Sequence, residues 1–98
     1  MAQFKNVVGP QVRRIRCGLK LRQRDLAARL EVAGWPIDRA GVSKIESRLV
    51  RVSDYRQFYL AYALGVSILD LLPRIDSKQP IDLVLRSLMA RRRSPALK

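Results

Sequence analysis

The chain has no histidine, one cysteine and only eight acidic residues among its 98. Each scarcity removes a class of chemistry. Without histidine, the commonest general base and metal ligand at neutral pH is missing. With Cys17 alone, no intrachain disulfide can form, and neither a zinc site nor a Cys-His pair can be assembled within one chain. Cys17 reads as a small residue on the first helix, and a lone thiol fits a reducing cytoplasm. The acids are too scattered to build a metal site. No cofactor, no metal and no enzymatic activity are expected. Long apolar runs are lacking too. The opening "MAQFKNVVGP" has no apolar core of the kind a signal peptide needs. The most apolar run, "FYLAYALGVSILDLLP", is interrupted by Ser67 and Asp70 and is too short to span a bilayer.

What the chain does have is positive charge: 20 Lys plus Arg against 8 Asp plus Glu, a net of +12. Charge so one-sided repels itself, and its usual purpose is to meet a polyanion, nucleic acid first and an anionic membrane second. Solubility alone rarely needs so much of one sign. With 48% hydrophobic residues this is not a disordered chain. Its length suffices for one small domain with a single core.

The apolar spacing predicts helices throughout, and no strand alternation or repeat is present. Gly9-Pro10 opens a first helix with Val12, Ile15 and Leu19 as its buried stripe. A second, "LRQRDLAARLEV", offers Leu26, Ala27 and Leu30. The chain then turns through "AGWPI" to Asp38, which caps a third helix of about 38–47. Ser53 reads as the N-cap of a fourth helix, with Asp54 favouring its positive end and Gly65 stopping it. Ser67 caps a short fifth helix, "ILDLL", ended by Pro73, and a sixth starts near Pro80. Trp35 reads as a lid packed on the domain, and Tyr55, Tyr59 and Tyr62 as core and rim. The division expected is an arm over 1–8, a helical domain over 9–73, and a connector, C-terminal helix and basic tail over 74–98.

The third helix raises the functional question. Val42 and Ile45 supply an apolar back, while Arg39, Ala40, Ser43 and Lys44 leave its leading edge short or polar. A short helix, a turn and a second helix with such an edge is the arithmetic of a helix-turn-helix, whose second helix enters the major groove of DNA. Arg39 has the fork that fits guanine O6 and N7, Lys44 reaches a base or phosphate, and Ala40 offers a methyl contact. Arg22, Arg24, Arg48 and Arg51 read as phosphate partners, which position without specifying.

On "LRQRDLAARL", "IDRAGVSKIE" and "YLAYALGVSILDLL", the chain resembles the Cro/phage-repressor (lambda-repressor-like) family of helix-turn-helix domains, over roughly residues 9 to 73. The resemblance implies an all-α fold: a compact five-helix domain plus a C-terminal sixth helix. It also implies base contacts at Arg39, Ala40, Ser43 and Lys44, and a Gln23 that touches a phosphate and braces the reading helix. Arg16 and Glu46 match a helix-to-helix salt bridge seen in some members, and Arg48 and Arg51 lie in the stretch that meets the DNA backbone. Three departures stand out. "EVAGWPI" lengthens the turn, Asp38 replaces the usual Ser or Thr, and Arg48 stands where a glycine usually follows the reading helix.

The expected function is a sequence-specific DNA-binding transcriptional regulator, a repressor of bacterial or phage type, binding double-stranded DNA in the cytoplasm as part of the nucleoid. It would act as a homodimer on half-sites about 34 Å apart. The stripe Ile81, Val84, Leu85 and Leu88 is the candidate face for dimerisation or for a protein partner. Its alternative is to fold back on its own domain. The competing functions are an antitoxin gripping its toxin through that stripe, an RNA or protein interaction module on the same fold, and, last, a peripheral membrane protein. No membrane partner is expected.

Overall fold

The computed structural model describes residues 4–73 and 80–89. Among them every regular element is helical: α1 (Gly9–Gly18), α2 (Gln23–Ala33), α3 (Arg39–Glu46), α4 (Asp54–Leu64), a single 3-10 turn (Ile68–Leu71) and α5 (Ile81–Met89). The all-α expectation holds, with one adjustment. "ILDL" is a 3-10 turn, not a fifth α-helix. Asp70 accepts from both the N–H and the Oγ of Ser67 (3.0 and 3.2 Å), and Pro73 follows too soon for a second turn. No described helix is long and apolar enough to cross a membrane.

One core joins α1 to α4 and the 3-10 turn. Its fully buried side chains are Val8, Val12, Leu26, Leu30, Val42, Ile45, Leu60 and Leu71. α2 is the central helix, packing on both α3 and α4, and α1 packs on α3 and the 3-10 turn. Leu26, Ala27 and Leu30 face inward as their spacing predicts. The α1 stripe is shorter than expected: Val12 is buried and Ile15 half-buried, but the helix is over by Leu19, which is exposed.

Four helices end in the same way. Each is closed by a residue of positive φ, whose N–H turns back to the helix, and by the next N–H, which reaches a carbonyl five residues behind. Two of these residues are glycines, Gly34 (φ 117°) and Gly65 (φ 71°). The other two are Lys20 (φ 61°) and Arg48 (φ 63°). Leu21 N–H bonds Arg16 O at 3.1 Å, and Leu49 N–H bonds Lys44 O at 2.9 Å. A side chain in this conformation costs about 1 kcal/mol or more relative to glycine. The departure at Arg48 therefore leaves the end of α3 unchanged in shape and puts a charge where strain must be tolerated.

Residues 4–8 of the expected arm pack on the domain. Val8 is wholly buried and Asn6 nearly so. The Asn6 side-chain amide donates to Ile45 O (3.2 Å) and Val50 O (2.8 Å), and its Oδ1 accepts from Gly9 N–H (2.9 Å). Lys5 N–H bonds Arg48 O at 2.9 Å. The segment thus caps the start of α1 and the end of α3 together. Ser53 also departs from expectation: it sits at the N-cap of α4, but its Oγ is buried without a hydrogen-bond partner among the described residues.

Candidate nucleic-acid interface

α3 begins because Asp38 is an N-cap. Its backbone is extended, and its Oδ1 accepts from Gly41 N–H at 2.8 Å. Ile37, one residue earlier, lies directly over Gly41, and a Cβ at position 41 would clash with the Ile37 side chain. That contact fixes the angle at which the lengthened turn enters the helix. Trp35 in the same turn packs against Tyr59, ring centroids 6.1 Å apart, and is a lid as expected.

At the other end, Gly9 brings the start of α1 against the carbonyls of Ile45 and Glu46, where no side chain has room. Val42, Ile45 and Glu46 are buried, so α3 is seated by its back and both its ends. Its front is open. Arg39, Ala40 and Lys44 are exposed and Ser43 is half-buried. Arg39 and Ser43 lie four residues apart, as do Ala40 and Lys44, which makes two neighbouring rows on one face. The four candidate base contacts are therefore brought together.

Behind them runs a polar relay. The Arg16 guanidinium donates to both carboxylate oxygens of Glu46, Nε to Oε2 at 2.6 Å and NH2 to Oε1 at 3.0 Å. A third donor, NH1, reaches Leu21 O at 2.6 Å. The pair is almost sealed, with side chains 10% and 3% exposed. The bond to Glu46 holds Arg16 above its ordinary pKa, against the opposing effect of burial. Gln23 at the start of α2 donates to Glu46 Oε1 at 3.1 Å, and its own Oε1 accepts from Arg39 at 3.2 Å. Residues on α1, α2 and α3 are tied in one chain that ends on the foremost arginine. Such charge-assisted, bidentate bonds fix direction as well as distance.

The candidate phosphate contacts differ in their surroundings. Arg24 and Arg51 are exposed. Arg22 is exposed but engaged: its guanidinium forks onto Asp25 at 3.0 and 3.1 Å, and its N–H bonds Asp25 Oδ2 at 2.8 Å. The Arg22 side chain and backbone hold the Asp25 carboxyl well below the ordinary 3.8, at about 2. Arg48 lies over the Phe4 ring, 3.7 Å from its centroid. A groove of 410 Å³ runs beside it, edged by Arg13, Arg14 and Ser47.

The sequence reading missed Phe4, Asn6 and Gly9 as parts of this site. Asn6 three residues before Gly9 is a readable local capping pattern. Its reach to Ile45 and Val50, 39 and 44 residues away, is not. On α5, Ile81 and Leu85 are exposed. The side chains of Val84 and Leu88, the connector 74–79 and the tail 90–98 lie outside the described residues.

Comparison of the chain with protein-family models, curated proteins and solved structures finds no match.

Proposed function

We propose that the chain is a sequence-specific DNA-binding transcriptional regulator, a repressor acting as a dimer, with α2 and α3 as its helix-turn-helix and α3 as the reading helix. The observation that carries this is the asymmetry of α3. Val42, Ile45 and Glu46 seat it, while Arg39, Ala40 and Lys44 stand open in front. The net charge of +12 and the resemblance to Cro/phage-repressor domains support the same reading.

In this mechanism α3 lies in the major groove. Arg39, held in place by Gln23, forks onto a guanine, and Lys44 and Ser43 meet neighbouring base edges. Arg24, Arg48 and Arg51 neutralise phosphates on either side, and occupancy of the operator blocks transcription. The role is one of binding, not catalysis. In-vitro selection from random duplex DNA tests the reading: the full chain yields a defined motif with inverted-repeat symmetry. Arg51→Ala weakens binding to all sequences alike and lowers the salt slope by about one unit. Recovery of no motif, with equal affinity for all duplexes, would refute it.

A further inference from the structure

We propose that the outer face of α2 and α4 is the seat for α5 of a second copy, so that two chains pair by exchanging their C-terminal helices. The inference extends the dimeric part of the proposed function and does not depend on DNA recognition.

The core explains only one side of α4: Leu60, Ala61, Ala63 and Leu64 are buried, while Tyr55, Phe58 and Tyr62 form a separate stripe on its outside. Their exposures are 58%, 62% and 78%. Val32 on α2, at 90%, continues the patch. Two grooves share Tyr62 and so make one trough. One, of 300 Å³, is lined by Ala33, Tyr55, Phe58 and Tyr59; the other, of 570 Å³, by Ala28, Arg29, Val32 and Ala63. No α3 residue lines either groove, so covering the trough leaves the front of α3 open.

The same chain carries a matching strip. Ile81 and Leu85 lie four apart on α5 and are 59% and 47% exposed. Among the described residues neither surface covers the other, and a second copy can offer each surface its match. The area is right for it. Aromatic side chains present about 150–250 Å² each, so the patch together with Ile81 and Leu85 offers roughly 600 Å² of apolar surface per copy. A stable pair needs about 800 Å² per partner, of which about 65% is apolar in homodimers. A reciprocal exchange is self-complementary and closes at two chains.

The test is sedimentation equilibrium of the full chain, without DNA, from micromolar concentration upward. The expected mass is twice 11.2 kDa. Phe58→Ser and Leu85→Ser each weaken pairing about tenfold or more. Both leave the helical circular dichroism and melting of the dilute chain unchanged, because neither residue is in the core. Mixing Tyr62→Cys with Leu85→Cys, each in a Cys17→Ser background, and oxidising with diamide gives a disulfide between the two variants. A single-chain mass at all concentrations, a mass that grows past two chains, or pairing indifferent to both serine variants overturns the proposal. So does pairing without the mixed disulfide. A DNA selection that yields no motif leaves these outcomes untouched, so the two readings fail separately.

Discussion

α3 and α4 are both seated on α2 or α1 by one apolar side and open on the other, yet they leave opposite chemistries in view. α3 shows Arg39, Ala40 and Lys44; α4 shows Tyr55, Phe58 and Tyr62. A polar front on α3 costs nothing in water and needs no cover, so its exposure is a stable resting state that suits a charged ligand. An aromatic front on α4 is costly to leave wet, and the exchange of α5 proposed above would cover it. The two helices also differ in how they are held. α3 is fixed by an ion-pair relay, a cap and close contacts at both ends. α4 is held mainly by apolar packing, and its N-cap hydroxyl makes no bond among the described residues.

The comparison is broken most directly by removing what holds α3 from behind. Glu46→Ala leaves Arg16 buried and unpaired and costs about 3–5 kcal/mol in urea unfolding, whereas Phe58→Ser changes the unfolding of dilute chain by no more than about 0.5 kcal/mol. An equal loss from both would place the α4 stripe in the core. Gly9→Ala drives a methyl into the carbonyls of Ile45 and Glu46 and costs about 1–3 kcal/mol, with α3 displaced at its end. Arg48→Gly goes the other way. It relieves the positive φ and raises stability by about 0.5–1 kcal/mol, while DNA affinity falls and its salt slope drops by about one unit.

The acid limb comes next. Asp25 titrates at about 2 in the folded chain against an ordinary 3.8, so its contribution is present above about pH 4 and is lost as pH falls through 2. Thermal melts of the wild type therefore fall more steeply between pH 4 and 2 than those of Asp25→Asn. Ser53→Ala is the smallest effect, within about 0.5 kcal/mol of neutral, because the hydroxyl it removes has no partner among the described residues.

Helix order, the Asp38 cap and the inward set Leu26, Ala27, Leu30, Val42 and Ile45 were legible in the sequence, because spacing and capping are local. The pairing of Arg16 with Glu46 was legible through resemblance alone; thirty residues separate them, and no periodicity joins them. Three features were not legible. Asn6 spans from the N-terminus to the end of α3, a contact set by how the helices cross. Arg48 hides a glycine-like turn behind a bulky residue. The stripe Tyr55, Phe58 and Tyr62 has the spacing of a core face, and only the packing of Leu60, Ala61 and Leu64 reveals that the core is on the other side.

The most direct test of the account is base preference at the front of α3. DNA selection is run in parallel on the wild type, Arg39→Ala and Phe58→Ser. The account predicts that Arg39→Ala loses discrimination at one or two positions of each half-site, by about 1–3 kcal/mol, while Phe58→Ser retains the half-site preference. An unchanged motif from Arg39→Ala would contradict it.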